Sequence, residues 1–483
     1  MTLLLLCLVP ALAALRGLEK RAGGAAADAR LGSIFGATAM ASALWWLPLT
    51  IWRYHPPLIG LVVPALAALA IMGAALFAAI GWLRRRTGLP FPLLAAMTWI
   101  CLEWFIARRE VFDFPWFTLG IAVAGVTPLA QLADVGGAHG LSALLVAACA
   151  ALGEALVLRT DRRASRARLL AVCAGLIAAL GYGEWRMATL TLRPAALVAV
   201  VSTDIGANEK WDSQHGNRQV DRLLAMSRLA AVTRPALIAW PEVAVPGVLQ
   251  DHRPWDSAIA ELAAATRTPV LAGALDHTAG AATSGNAAFF YAAGGGRARS
   301  AYHKRALVPF VERFSGVGAG RAAPMFPAGR DRFGVLICYE SAFGELARDY
   351  RIRGAAFLVN MANDAWYAGA GGPSQGLAHL RLRAIEQRMG IVRVANGGPS
   401  GFIDPAGRFT RGAAAVVTTV SGVTFATRAG DWVSTMAVAC TAVLLSLGLL
   451  FPNRSARYAP LFVTVPPAPA RQAPEYSRSS PGY

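Results

Sequence analysis

A thiol, a carboxylate and an ammonium, each set beside a short apolar run, are the residues of this chain best suited to covalent chemistry. Cys338 ends the strand-like run Gly334-Val335-Leu336-Ile337, and a helical pattern follows from Ser341 to Arg351. Glu242 closes Ala236-Leu237-Ile238-Ala239-Trp240-Pro241-Glu242, and Lys304 lies in Tyr302-His303-Lys304, ahead of Leu307-Val308-Pro309-Phe310. Together they make a workable acyl-transfer set, because a weak thiol needs a base for its proton, a cation for the oxyanion and a backbone N–H to share that load. A helix starting behind Cys338 is expected to favour its thiolate. Of the six cysteines, Cys7, Cys101, Cys149, Cys173 and Cys440 fall in long apolar segments, which leaves Cys338 as a free thiol in the polar part of the chain. Lys20, Lys210 and Lys304 are the only lysines, so a lysine in a special context gains interest. Spacing does not assemble the three groups, since 62 and 34 residues separate them in order. Each also has an unreactive reading: Cys338 as an inert core thiol, Glu242 as a solvated loop acid, Lys304 as a surface lysine.

The elements that must position them form an α/β pattern between residue 195 and about residue 428. Strands are expected at Ala196–Val201, Ala236–Trp240, Val270–Gly273, Ala287–Ala292, Val335–Cys338, Ala356–Asn360 and Ile391–Ala395. Helices fit Val220–Thr233, Trp255–Thr266, Ser341–Arg351 and Gln375–Met389. This stretch is long enough for one core.

The rest of the 483 residues is too apolar for an ordinary soluble chain, 55% hydrophobic and 15% charged, with the excess in segments of membrane-crossing length. Met1 to Leu15 is short for a span and lacks the charged start of a signal peptide, so it is read as a first, shortened membrane helix. Leu31–Ile51, Leu58–Leu83, Phe91–Ala107, His139–Leu158, Arg168–Tyr182 and Trp432–Phe451 are further candidates. The expected organisation is a multi-span membrane domain (1–193), a catalytic domain (194–430), a C-terminal membrane helix (431–452) and a disordered Pro/Ser/Arg-rich tail (453–483). The net charge of +18 largely flanks the apolar segments, as at Arg84-Arg85-Arg86 and from Arg159 to Arg168, and no basic stripe with interleaved aromatics points to nucleic acid. No His/Cys cluster has metal-ligand spacing, and Gly294-Gly295-Gly296 reads as a hairpin turn rather than a phosphate loop, so neither a metal nor another cofactor is expected.

The strings Trp240–Glu242 (WPE), Tyr302–Glu312 (YHK…LVPF.E), Ile337–Glu340 (ICYE) and Asn363–Trp366 (NDAW) resemble the nitrilase superfamily. Their order, between several N-terminal spans and one C-terminal span, is similar to its membrane-bound apolipoprotein N-acyltransferase family. The resemblance implies a polytopic α-helical membrane domain joined to an αββα sandwich, in the bacterial inner membrane. It implies acyl transfer from a phospholipid to the N-terminal amine of a diacylated lipoprotein, by a chain taken to act as a monomer. Carried onto this sequence, it makes Cys338 the nucleophile, Glu242 the general base and Lys304 the oxyanion stabiliser with the Tyr339 N–H. Glu312 would support the lysine, Tyr339 and Glu340 would flank the nucleophile, and Trp211 would stand near the substrate entrance. The chain departs from the family pattern at Tyr367-Ala368, at Gln375-Gly376, where a histidine is usual, at Arg313–Gly316, and at Ser202-Thr203-Asp204.

Three rivals remain. A serine hydrolase would use Gly372-Pro373-Ser374-Gln375-Gly376, but no strand leads into Ser374, and the only later histidine, His379, lies in the same expected helix. An inactive scaffold is opposed by the intact Glu242, Lys304 and Cys338. A membrane-anchored amidase would run the same thioester chemistry and release its product to water, although a water-soluble amide needs no multi-span framework.

Basic loops should share the cytoplasmic side. Arg16, Lys20, Arg21 and Arg30, then Arg84-Arg85-Arg86, then Arg159 to Arg168 all do so if the chain has seven spans, starts outside, and Phe114–Asp134 does not cross. Pro115 and Pro128 favour that, each lacking a backbone donor. The catalytic domain then lies outside and Arg454 and Arg457 inside. With the native cysteines replaced, an impermeant thiol reagent applied to cells with a permeabilised outer envelope should label Ser284→Cys and spare Ser165→Cys. Labelling at Ser165→Cys would overturn the topology.

Overall fold

The computed structural model describes residues 1–450 apart from 21–23, 55, 109–111, 158–161, 207–208, 212, 278–283, 296–299, 310, 313–317 and 368–370. The expected tail (453–483) and the loop 313–316 lie outside the described residues. The membrane half runs α1 (Thr2–Lys20), α2 (Ala25–Phe35), α3 (Trp46–Tyr54), α4 (Val62–Thr87), α5 (Phe91–Ala107), α6 (Thr127–Ala130), α7 (Ala133–Val157) and α8 (Arg162–Thr189). Among the described residues, five helical stretches are long and apolar enough to cross a membrane: Thr2–Glu19, Pro56–Thr87, Ala133–Val157, Arg166–Thr189 and Trp432–Leu450. Phe91–Ala107 is a shorter apolar helix.

The expected span Leu31–Ile51 is not one helix. α2 continues through a π-helical stretch, Gly36–Met40, then turns at residues 43–45 before α3 starts. Pro48 is tolerated there because it lies in the first turn of α3, where its missing donor costs little. Phe114–Asp134 likewise forms no continuous helix. It is assembled from 3-10 turns, Pro115–Phe117 and Leu119–Val123, and the single turn α6. The three basic stretches come to one end of the bundle, where Arg16 and Arg168 both reach Glu154 at 2.9 Å, Arg84 faces Glu19 and Arg85 pairs with Asp28 at 2.7 Å.

The other half contains, among the described residues, strands β1 (Leu192–Val200), β2 (Leu237–Ala239), β3 (Val270–His277), β4 (Ser284–Tyr291), β5 (Ser300–His303), β6 (Phe326–Ala328), β7 (Asp331–Ile337), β8 (Phe357–Asn363), β9 (Gly390–Asn396), β10 (Gly401–Ile403), β11 (Phe409–Arg411) and β12 (Ala414–Val420). They form two six-stranded sheets, β12-β1-β2-β3-β4-β5 and β11-β10-β9-β8-β7-β6. Period-two alternation separates the two faces of the first sheet. Val198, Val200, Leu237, Ala239 and Leu271 point into a core shared with Phe333, Val335 and Ile337 of the second sheet. Ala199, Ile238, Val270 and Ala272 instead pack under α9 (Ser213–Ala230) and α10 (Arg253–Thr266). α11 (Gly344–Ile352) and α12 (Gly372–Gln387) cover the second sheet, giving the αββα sandwich. Gly334 is required in β7, because a Cβ there would stand 2.4 Å from the Tyr350 ring of α11.

The short α13 (Phe425–Ala429) leads to α14 (Trp432–Leu450), which returns to pack on α5, α4 and α7. Asp431 holds His139 of α7 at 3.0 Å, and Trp432 Nε1 donates to the Val135 carbonyl at 2.9 Å. The two halves are locked by a buried charge cluster. Asp134 accepts from Tyr182 Oη at 2.6 Å, Arg186 Nε at 2.8 Å and Arg388 Nη2 at 2.6 Å, and Arg388 also donates to Gln131. Removing one partner of such a pair strands the other charge, at about 3–5 kcal/mol. Asp134→Ala should therefore melt well below the parent protein in detergent. Asp349→Ala, which breaks an exposed pair, should lose under about 1 kcal/mol. Equal melting of the two variants would show that the cluster does not hold the halves together.

Candidate active site

Cys338 leaves β7 with φ +51°, in the left-handed region that a side chain disfavours, so the surrounding structure must hold it there. Its side chain is half-buried and can be reached. A 3-10 turn, Cys338–Ala342, comes first, and α11 starts only at Gly344, three residues later than the sequence pattern suggests. Burial and then the Glu242 carboxylate push the thiol well above its ordinary value, against the pull of Lys304. This corrects the expectation of a helix-stabilised thiolate. The thiol rests protonated and depends on a base.

A buried carboxylate stands nearby. Glu242 follows β2, is 6% exposed, accepts from Asn286 Nδ2 at 2.7 Å and lies 3.4 Å from Lys304 Nζ. Lys304 follows β5 and is 1% exposed, so it is neither a surface lysine nor free to swing. Its Nζ donates to Glu312 Oε1 at 2.8 Å, while Glu312 Oε2 accepts from the Val308 N–H at 2.8 Å. Burial disfavours the ammonium, but Glu312 and Glu242 outweigh it and hold Lys304 firmly protonated. Cys338 lies within electrostatic reach of both Glu242 and Lys304.

Glu340 is fully buried and ties the site together. It accepts from the Ile337 N–H at 2.6 Å, the Arg305 N–H at 2.6 Å, the Ala306 N–H at 3.1 Å and Tyr302 Oη at 2.7 Å. Tyr339 faces the membrane half, its hydroxyl donating to the Asp113 carbonyl at 2.7 Å and its ring stacked on Trp116 at 5.6 Å. Gln375, the residue that lacks its usual histidine neighbour, accepts from Trp116 Nε1 at 2.7 Å and Trp46 Nε1 at 3.1 Å and donates to the Ala43 carbonyl at 2.9 Å. Tyr367, another departure, packs edge-on against Trp46, and Trp366 against Tyr54. Trp211 belongs to the short helix Glu209–Trp211, but its side chain lies outside the described residues.

Two residues of the site were not singled out from sequence. Asn286 is the third residue of β4 and the last polar one before the apolar run Ala287–Tyr291, a signal that could have been read. Lys210, flagged only as one of three lysines, is buried and donates to the Glu242 carbonyl at 2.8 Å. Ser374 sits exposed in the first turn of α12, while His379 is buried against Trp116, so the two make no nucleophile–base pair. A cavity of about 830 Å³ opens at the seam of the two halves, beside Trp104, Arg348, Glu386 and Val438, and Glu242, Lys304 and Cys338 are not on its walls.

Residues 1–152 match the apolipoprotein N-acyltransferase N-terminal domain and residues 197–432 the carbon-nitrogen hydrolase family. An apolipoprotein N-acyltransferase of Brucella melitensis is 30% identical over 476 residues, covering 88% of this chain and 86% of the relative. Another, from Geobacter metallireducens, is 29% identical over 408 residues, 78% of this chain and 77% of the relative. Among solved structures, an amidase of the nitrilase superfamily from Nesterenkonia sp. AN1 superposes with a TM-score of 0.41 at 16% identity, over 50% of this chain and 99% of its own. With both family models matched and 30% identity over 88% of its length to one such relative, the chain belongs to the apolipoprotein N-acyltransferase family.

Proposed function

We propose that the protein moves an acyl chain from a membrane phospholipid, through a thioester on Cys338, to the N-terminal amine of a diacylated lipoprotein. The observation that carries this reading is the convergence of Glu242, Lys304 and Cys338 behind an aromatic rim of Trp46, Trp116, Tyr339 and Tyr367, to which membrane segments contribute. Glu242 takes the Cys338 proton as Sγ attacks the ester carbonyl. The C–S bond forms, and Lys304 and the Tyr339 N–H stabilise the oxyanion. Collapse breaks the C–O bond, and Glu242 returns the proton to the departing lysophospholipid oxygen. In the second half, the lipoprotein amine attacks the thioester, Glu242 accepts a proton from nitrogen, and the amide forms as Sγ leaves and regains its proton.

Glu312 and Glu340 position Lys304 and the nucleophile turn, and Trp211 keeps the substrate-entrance role that the resemblance assigns to it. The catalytic domain works as a monomer on the outer face of a bacterial cytoplasmic membrane, with residues 1–193 and 431–452 as its membrane part. The end of the bundle where Arg16, Arg84, Arg85 and Arg168 meet faces the cytoplasm, following the rule for basic loops.

Incubation with phospholipid should add one acyl mass to the peptide holding Cys338, removable by neutral hydroxylamine and absent in Cys338→Ala. An adduct that survives this substitution would sink the nucleophile assignment. Glu242→Gln should slow thioester formation by about 10²–10⁴. Lys304→Arg should lose about 10²–10³ despite keeping its charge, because a forked guanidinium does not fit a point-charge site. Ser374→Ala is the control and should be near neutral. A near-normal Lys304→Arg rate would remove Lys304 from the mechanism.

A further inference from the structure

Lys210 is 1% exposed and reaches from the short helix Glu209–Trp211 to donate Nζ to the Glu242 main-chain carbonyl at 2.8 Å. That carbonyl belongs to the peptide bond joining Glu242 to Val243, and Val243 has φ +44°. A β-branched residue in the left-handed region is a strained conformation that neighbouring contacts must enforce. On the other side, β3 presses against the same turn. A Cβ on Gly273 would stand 2.2 Å from the Pro241 carbonyl oxygen and 2.7 Å from the Val243 nitrogen. Lys210 and Gly273 therefore constrain, from two separate elements, the turn that carries the Glu242 side chain.

Charge points the same way. Glu242 and Glu312 set two negative charges against one positive charge on Lys304, and the buried Glu340 carboxylate adds a third, so negative charge is in excess in a buried environment. Moving the Cys338 proton to Glu242 makes a thiolate without changing that total. Asp364 contributes nothing net, since Arg393 pairs with it. Among the described residues near Nζ, the Asn363 amide, at 3.2 Å, is neutral. A protonated Lys210 offsets part of that excess, and an unbalanced buried charge is costly.

We propose that Lys210 is a positioning residue of the acyl-transfer site, its ammonium constraining the Glu242 turn and offsetting the charge of the ionised thiol. The proposal rests on the triad chemistry above and adds a residue to it. Burial lowers Lys210 to about 8, with Glu242 and Cys338 acting in the opposite direction. The charged form is present below that value and lost above it, so Lys210 stops supporting the thiolate as pH rises through about 8.

The test follows two readouts against pH in the full-length protein: formation of the Cys338 thioester from phosphatidylethanolamine, and alkylation of Cys338 by iodoacetamide, which needs no acyl transfer. The parent protein should lose acylation rate above about pH 8. Lys210→Met should acylate about 10–100-fold more slowly and lose this alkaline limb. Its Cys338 should also be alkylated more slowly at a given pH. Lys210→Arg, which stays charged at every accessible pH, should restore part of the rate and move the limb upward. A limb still near pH 8 in Lys210→Arg, or unchanged alkylation and acylation in a folded Lys210→Met, would overturn the proposal. If Lys210→Met does not fold, the arginine variant decides alone. Absence of any thioester in the parent protein would overturn the acyltransferase reading instead, and the alkylation profiles would still decide Lys210.

Discussion

The buried Glu340 carboxylate is the constraint on which the reactive centre depends. A carboxylate removed from water is costly unless its lone pairs are satisfied, and here three backbone N–H groups and one phenol satisfy it. Those donors come from two places that share no sheet. Ile337 ends the strand that carries Cys338, whereas Tyr302, Arg305 and Ala306 surround Lys304 on the opposite sheet. One side chain thus ties two independent layers together and holds Cys338 and Lys304 in fixed relation. Burial raises Glu340 while its hydrogen bonds pull it back, the balance of a group held in place by its donors.

A second level of organisation joins this centre to the membrane half. The residue after the nucleophile is clasped by a segment that does not cross as a helix, through Asp113 and Trp116. Gln375 collects two indole donors and a carbonyl from that segment and from the turn between α2 and α3. Both segments avoid regular helix, which leaves their backbone groups and aromatic side chains available at the seam. In the first of these segments the irregular backbone is covered by protein, Pro115–Phe117 and Leu119–Ile121 being buried.

Much of this arrangement was legible in the sequence. Long buried strands such as β3, β7, β8 and β9 announce themselves as apolar runs, and Cys338 stands where one of them ends, whereas Lys304 follows the short β5, which the sequence did not reveal. The short strands β5, β6, β10 and β11 carry too few side chains to show a period, and β12, Ala-Ala-Val-Val-Thr-Thr-Val, has neither apolar–polar alternation nor a fully buried run. The break in Leu31–Ile51 was hidden for the opposite reason, since apolar composition continues straight through the turn. The expectation of a thiolate failed on a competition of magnitudes. Proximity of a helix was readable, whereas the depth of burial and the carboxylate beside the thiol exist only after folding. Lys210 illustrates the same limit. Its rarity was visible, but its partner is a main-chain carbonyl, which carries no signature in the sequence.

The position of α14 has a consequence for how the molecule is made. This helix is the last described element of the chain, yet it packs on α5, α4 and α7, which are synthesised long before it. The membrane bundle is therefore open along one flank while the whole sandwich is translated. Trp432 and Asp431 close it only when the final helix arrives. Until then, the faces of α5 and α7 that await α14 stand against lipid or the insertion machinery. The bundle is thus completed by an element made after the sandwich, which ties its closure to the synthesis of the catalytic half.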